Sequence, residues 1–130
     1  MPNSETGERV TTVLDFPSRD GLVVNAVRVD YEPGGFSRAH RHPAGAHVYV
    51  IDGSVIFGID DREPVVLKAG DSFYEPPGAL HAVSRNASQE LPASLLAFFV
   101  LGEGESPTVA VDAEVESKVT SPAPQAKEYT

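Results

Sequence analysis

Short apolar segments separated by turn residues run through most of this chain. The segments are rich in Val, Ile, Phe and Tyr, and eleven glycines and eleven prolines punctuate the sequence. Because no apolar repeat of helical period extends over a long stretch, the pattern predicts an all-β sandwich or barrel. Strands are predicted at residues 10–14, 22–31, 36–42, 47–51, 54–59, 64–67, 72–75, 80–84 and 95–101, with a weaker strand at 108–111.

Two of these strands are apolar on both faces. Residues 48–51 read Val-Tyr-Val-Ile, and residues 95–101 form an unbroken apolar run. A strand with one solvated face normally alternates apolar and polar residues, so the second face of these strands also requires burial. We therefore predict a homodimer in which a partner subunit covers that face. Cover by an N-terminal strand that folds back is the alternative.

Length and composition indicate one globular domain. The chain has 130 residues, of which 41% are hydrophobic, and a chain of this size can bury a core without disulfides. We divide it into an N-terminal arm or strand at 1–21, a barrel at 22–114 and a mobile C-terminal tail at 115–130. The tail is rich in Ser, Pro, Ala and Glu and has few apolar anchors.

Charge and the length of the apolar runs exclude several classes of function. The formal net charge is −9 and the ten lysines and arginines are scattered, so we expect no nucleic-acid surface, which would need a basic patch. The run at 95–101 is far shorter than the roughly 18 residues of a membrane span. No basic and apolar signal segment is visible near the N-terminus, and we expect a cytoplasmic location.

The histidines supply the candidate chemistry. His40 and His42 are separated by one residue, so on a strand both imidazoles project from the same face and can bind one ion, and His81 can complete a set of three. The chain has no cysteine, which leaves imidazole, carboxylate and water as ligands. We expect one divalent transition-metal ion. Fe2+ is favoured, and Zn2+, Mn2+, Ni2+ or Cu2+ also suit this donor set.

Two blocks of sequence around these histidines resemble the signature motifs of the cupin superfamily. The second block keeps the spacing Gly, five residues, Pro-x-Gly, two residues, His from Gly70 to His81. The positions that match in the first block are Gly34, His40, His42 and Gly53. The resemblance implies a double-stranded β-helix, also called a jelly roll or cupin barrel, with a metal ion in the barrel mouth. It also implies that the metal ligands are His40, His42 and His81.

The chain departs from the cupin pattern at the fourth ligand. Ala46 stands where the family has a glutamate, and alanine cannot bind metal. His47 is the neighbouring candidate, but on a regular strand it faces away from His40 and His42. Only a bulge in residues 43–46 would turn it inward. We therefore expect His47 to be dispensable for the metal.

The resemblance favours a mononuclear metal-dependent enzyme that acts on a small oxygen-bearing molecule. Three neutral imidazoles leave the full 2+ charge on the ion, so anionic ligands are favoured, and a dioxygenase is the leading hypothesis. The candidate catalytic proton carriers are Glu75 and His47. Glu75 can alternatively accept a hydrogen bond from a ligand, or be an exposed carboxylate at a strand end. The other hypotheses are a metal-dependent isomerase or lyase, and a non-catalytic module that binds a small molecule or senses metal.

Overall fold

The computed structural model describes residue 3 and residues 5–111, and this part of the chain contains ten strands. They are β1 (Glu8–Pro17), β2 (Val23–Tyr31), β3 (His40–Arg41), β4 (Ala46–Asp52), β5 (Ser54–Ile59), β6 (Val65–Lys68), β7 (Ser72–Glu75), β8 (Leu80–Asn86), β9 (Ala93–Leu101) and β10 (Val109–Ala110). Each predicted strand has a counterpart among them. The tail predicted at 115–130 lies outside the described residues. No helix in the described ranges has the length and apolarity that crossing a membrane needs.

The strands form two five-stranded antiparallel sheets. The strand order is β1-β2-β9-β4-β7 in the first sheet and β10-β3-β8-β5-β6 in the second. Neighbours in space are mostly distant in sequence, as when β9 lies between β2 and β4. This connectivity is that of a jelly roll, and the predicted all-β jelly-roll fold is confirmed. β1 pairs with β2 along its length, so the N-terminal segment is an integral strand of the first sheet.

The core lies between the two sheets and is built from alternate residues of the strands. On β4, Ala46, Val48 and Val50 are buried while His47 and Tyr49 are exposed. The core residues from the neighbouring β9 and from β5 in the facing sheet include Leu95, Ala97, Phe99, Leu101, Val55 and Phe57. Full burial of one large apolar side chain stabilises a fold by about 1.5–3 kcal/mol. The sheets therefore have a core of their own, formed by side chains other than the candidate ligands.

The predicted strand at 36–42 is the main correction to the strand pattern. Only His40–Arg41 pairs as β3, and Phe36 makes an isolated bridge to Arg85. Between these two points the carbonyl oxygen of Arg38 accepts a hydrogen bond from the His40 ring, with Nδ1 and O 2.7 Å apart. A carbonyl that bonds a side chain is withdrawn from the ladder, so this segment departs from regular strand pairing.

The outer surface of the first sheet carries an apolar patch that we call the outer apolar face. The strand pairing sets one row of residues side by side across the sheet, and Ala26 is the fully buried member of it: Leu14, Ala26, Phe98, His47 and Tyr74. A second row consists of Phe16, Val24 and Val100. Phe16 is 65% exposed, Tyr74 52% and Val100 48%. Because β1 extends the edge of the sheet and adds Phe16 to this surface, the N-terminal strand does not provide the cover considered as the alternative to a dimer.

We propose that a second copy of the chain covers the outer apolar face. Static light scattering at micromolar concentration should then give about twice the 13.8 kDa of one chain. Val100→Glu should produce monomers, because an unpaired charge is costly to bury in an interface. Val65→Glu is the matched control, since Val65 is 43% exposed but lies on β6 of the second sheet, and it should leave the dimer intact. A wild-type mass of a single chain would contradict the prediction.

Candidate metal centre

Three imidazoles meet in a cavity between the two sheets. His40 on β3 pairs directly with His81 on β8, and His42 follows one residue after the end of β3. His40 Nε2 lies 3.1 Å from His42 Nε2 and 3.1 Å from His81 Nδ1. Nitrogens bound about 2.1 Å from one ion lie about 3.0 Å apart in an octahedral shell and about 3.4 Å apart in a tetrahedral one. These two spacings fit ligands of a single ion, and the ligand atoms of all three residues lie within 4.8 Å of one another.

Hydrogen bonds to backbone carbonyls fix the protonation of two of these rings. Nδ1–H of His40 donates to the carbonyl of Arg38 at 2.7 Å, and Nδ1–H of His42 donates to the carbonyl of Pro107 at 2.8 Å. A carbonyl oxygen can only accept, so Nδ1 of each ring carries the proton and Nε2 presents its lone pair to the centre. Ligating histidines in metalloproteins are normally oriented in this way.

Burial keeps all three imidazoles neutral. Loss of solvent lowers the pKa of His42 to about 4, with the nearby His40 adding to the effect. Burial is also the main cause that lowers the pKa of His40 and, further, that of His81. Because a metal binds the neutral ring and competes with protons for it, these shifts leave the nitrogens available to an ion near neutral pH.

Aromatic side chains close two sides of the cluster. The Phe57 and His81 ring centroids are 4.1 Å apart, and those of Phe99 and His42 are 5.0 Å apart. Both phenylalanines are about 2% exposed and belong to the core between the sheets. They limit the access of water to the imidazoles, which strengthens electrostatic interactions at the centre.

Glu75 lies beside the three imidazoles, at the end of β7. It is 1% exposed, so the interpretation of an exposed strand-end carboxylate is wrong. Its Oε2 is 3.8 Å from His42 Nε2 and its Oε1 is 3.3 Å from His81 Nδ1. Burial raises the pKa of this carboxyl group to about 8.

Two buried polar atoms of these residues lack hydrogen-bond partners among the described residues. They are Glu75 Oε1, which faces His81 Nδ1, and His81 Nε2, on the side of the ring away from Nδ1. Buried polar atoms are nearly always hydrogen-bonded, and exceptions commonly mark a functional group or an ion site. The converging nitrogens and the unsatisfied Glu75 Oε1 show that the residues present fit a bound metal ion.

The structure does not bring His47 to the centre. Its side chain is exposed on the outer apolar face, where its ring centroid is 5.0 Å from that of Tyr74. β4 pairs regularly with β7 from Ala46 to Tyr49, and its register shift falls between Val50 and Asp52. No bulge therefore turns His47 inward, and its assignment as a catalytic proton carrier is corrected. Ala46 is fully buried on the inner face, as strand parity predicts.

A cluster of hydroxyl groups on the cavity wall was not anticipated from the sequence. The Tyr31 hydroxyl lies 2.5 Å from Ser37 Oγ and 2.6 Å from Ser84 Oγ, and Ser37 Oγ also donates to the Glu8 carboxylate. Burial raises the pKa of Tyr31, so its hydroxyl keeps its proton. All four residues line the same cavity as the imidazoles, which has a volume of about 440 Å³. The sequence offered one signal for this cluster: Tyr31 and Ser84 are polar residues in β2 and β8, strands that also contribute buried residues.

The fold and the site together define a small jelly-roll barrel with a three-histidine centre suited to a metal ion. The chain belongs to the cupin family, because residues 27–100 match the family described as the cupin domain. The membership expected from the two sequence motifs is thereby confirmed. The match begins within β2 and ends within β9, so it includes all three histidines.

Relatives and solved structures agree with this membership. Germin-like protein subfamily 2 member 1 of Arabidopsis thaliana is 33% identical over 106 residues, which are 76% of this chain and 48% of that protein. The chain spans about half the length of the curated relatives it matches. A cupin 2 domain-containing protein from Halorhodospira halophila superposes with a TM-score of 0.67 at 23% identity, covering 89% of this chain and 82% of that one. DMSP lyase DddQ from Ruegeria pomeroyi DSS-3 superposes with a TM-score of 0.58 at 25% identity, covering 68% and 43% respectively.

Replacement of His42 should abolish metal binding. His42→Ala removes one of three donors but none of the core residues of the sheets, so the variant should fold and carry less than about a tenth of the wild-type metal. Elemental analysis of protein purified without chelator measures the metal, and circular dichroism checks the fold. Stoichiometric metal in a folded His42→Ala protein would refute the three-histidine assignment.

His47→Ala is the matched control for that experiment. The substituted imidazole lies on the outer apolar face, so we expect metal content within error of the wild type. Elemental analysis and circular dichroism are applied to both variants. The comparison shows whether metal is lost because a ligand is removed or because any histidine is replaced. Loss of metal in His47→Ala as complete as in His42→Ala would mean that His47 also reaches the ion.

Proposed function

We propose that the protein is a mononuclear metal-dependent enzyme that acts on a small oxygen-bearing molecule, and that it is a dioxygenase. The observation that carries the proposal is the set of three neutral imidazoles facing a cavity of about 440 Å³. A cavity of this size is within the range of small-molecule sites. The cupin family membership supports the metal centre, and the choice of dioxygenase goes beyond it.

The donor set supports a borderline transition metal. His40, His42 and His81 would hold the ion, and Fe2+ is our first choice for oxygen chemistry, with Zn2+, Mn2+, Ni2+ and Cu2+ compatible with the same ligands. When bound, the ion supplies Lewis-acid polarisation of a chelated substrate and, if it is redox-active, electron transfer to dioxygen. The carbonyls of Arg38 and Pro107 hold the rings of His40 and His42 in the orientation that such binding requires.

The cavity wall suggests a substrate that carries both oxygen atoms and a short apolar part. The hydroxyl groups of Tyr31, Ser37 and Ser84 can exchange hydrogen bonds with substrate oxygens. Val48, Leu95 and Phe99 offer apolar contacts on the same cavity. Of the two proton carriers considered from the sequence, Glu75 lines the cavity and can accept or return a proton at a carboxylate oxygen.

A metal-dependent lyase or isomerase is the second candidate. The same centre could polarise a substrate without dioxygen, and one of the similar solved structures is named a DMSP lyase. That structure is 25% identical and this chain covers 43% of it. Its reaction is therefore a property of that protein and a hypothesis for this one.

Consumption of dioxygen distinguishes the two candidates. The purified protein is loaded with Fe2+ without oxygen and mixed with 2-hydroxy acids, 2-oxo acids, catechols or thiol carboxylates in aerated buffer. A dioxygenase should consume dioxygen at a rate that depends on one class of these substrates, as measured with an oxygen electrode. His42→Ala treated identically is the control and should show only the rate of free iron.

The other outcomes have defined meanings. Conversion of a substrate at the same rate with and without oxygen would reject the dioxygenase and favour the lyase or isomerase. Binding of a compound, detected by calorimetry, without any conversion would favour a sensing module. A wild-type protein that binds none of the five metals would reject the metal-dependent function altogether.

A further inference from the structure

The fourth ligand position of the cupin pattern lies opposite a carboxylate on the neighbouring strand. Ala46 on β4 stands where the family pattern has a glutamate, and the pairing of β4 with β7 sets Glu75 directly opposite Ala46. Residues directly opposite in an antiparallel pair project to the same face, with Cβ atoms about 4.5–5.5 Å apart. Ala46 and Glu75 are both buried, at 0% and 1% exposure, and Glu75 lines the cavity of the three imidazoles. The strand beside β4 thus places a buried carboxylate opposite the position where the family pattern has one.

We infer that Glu75 is a ligand of the metal ion and takes the place of the carboxylate that Ala46 lacks. The inference rests on the proposed metal centre and adds to it a fourth protein ligand, which the cupin motifs do not identify. A carboxylate has two oxygens, so binding through one of them is compatible with proton transfer at the other.

The contacts of Glu75 support this role. Its two carboxylate oxygens face two different ring nitrogens of the cluster, His42 Nε2 at 3.8 Å and His81 Nδ1 at 3.3 Å. Oε1 makes no hydrogen bond to any described residue. A buried carboxylate is retained in a protein when it is paired or binds a metal. Its only ion-pair partners among the described residues are these two histidines, whose ring nitrogens belong to the cluster that could hold an ion, so an ion held there would also meet the carboxylate.

The local sequence also fits a carboxylate that enters from β7. The small side chain of Ala46 leaves the opposite position free, whereas glutamates on both strands would put two carboxylates at one site and repel each other. Gly45 has a φ of 79°, and a Cβ there would lie 2.8 Å from the Glu75 carbonyl oxygen. A glycine is therefore required for this loop to pass close to the end of β7.

Backbone hydrogen bonds hold the two motifs together at this point. The carbonyl of His42 accepts hydrogen bonds from the backbone N–H groups of Gly45 at 2.9 Å and Gly78 at 3.0 Å. His42 and Glu75 are consequently fixed relative to each other by their main chains. A carboxylate positioned in this way is preorganised for a ligand.

A carboxylate ligand changes the charge of the centre. Three neutral imidazoles leave 2+ on the ion, whereas one carboxylate lowers the charge of the ion and its protein ligands to 1+. The preference for anionic substrates derived for three histidines is then weaker. A site of three histidines and a site of three histidines plus Glu75 therefore differ in how strongly they favour anionic substrates.

The first test measures Co2+ binding, because the visible absorption of Co2+ responds to the number and type of its ligands. Glu75→Gln keeps the size of the side chain and removes its charge. It should weaken Co2+ affinity at least tenfold and change the visible spectrum of the bound ion. Glu63→Gln is the matched control, since Glu63 is exposed in the segment between β5 and β6, and it should behave as the wild type.

The second test moves the carboxylate from position 75 on β7 to position 46 on β4. The double variant Ala46→Glu with Glu75→Ala restores the family pattern, and it should recover Co2+ affinity to within a few-fold of the wild type. A residue that merely positions His81 through a hydrogen bond would not be replaced by a carboxylate on another strand. If the double variant does not fold, the spectrum of Glu75→Gln decides between the two roles.

The results that would overturn the inference are distinct from those that would overturn the proposed function. Wild-type affinity and an unchanged spectrum in Glu75→Gln would exclude Glu75 as a ligand while leaving the three-histidine centre in place. Weakened affinity with an unchanged spectrum, and no recovery in the double variant, would make Glu75 a positioning residue and also overturn the inference. Failure of the wild-type protein to bind Co2+ would instead reject the metal centre, and this inference with it.

Discussion

The Nε2 atoms of His40 and His42 are held 3.1 Å apart with no proton between them, and the rest of the site is arranged around this contact. Each ring donates a hydrogen bond from its Nδ1–H to a carbonyl, and burial opposes the uptake of a second proton. Two lone pairs at this distance repel each other unless a cation attracts both. A bound ion would attract both lone pairs and remove this repulsion, so the arrangement suits a binding site, where proteins give up stability for function.

The carbonyls that hold these rings come from segments outside regular strand pairing. Arg38 lies just before β3, and Pro107 lies in the segment between β9 and β10. Neither ring can turn its lone pair away from the centre without breaking its hydrogen bond to the carbonyl, and a typical hydrogen bond contributes about 0.5–1.5 kcal/mol. The interruption of the strand at 37–39 is therefore part of the site, because it frees the carbonyl that orients His40.

Sequence reasoning succeeded where the information is local. The strands followed from apolar patterning and turn residues, except that the strand predicted at 36–42 pairs only at His40–Arg41. The shared face of His40 and His42 followed from their spacing. The burial of Glu75 could not be predicted from the sequence, because it depends on the pairing of β4 with β7. The sequence of one strand does not determine its register against another. The roles of Pro107 and of the hydroxyl cluster of Tyr31, Ser37 and Ser84 depend on equally distant contacts.

The register of β4 couples the site to the outer apolar face. Ala46 is buried on the inner face while His47 faces outward, and Val48, Tyr49 and Val50 continue the alternation. A slip of one residue would bring His47 inward and carry Val48 and Val50 out of the core. The apolar residues on the inner face oppose such a slip, since burial of each valine favours the observed register by about 1.5–3 kcal/mol. The core packing of β4 thus fixes which residue stands opposite Glu75, and with it the ligands available to the ion.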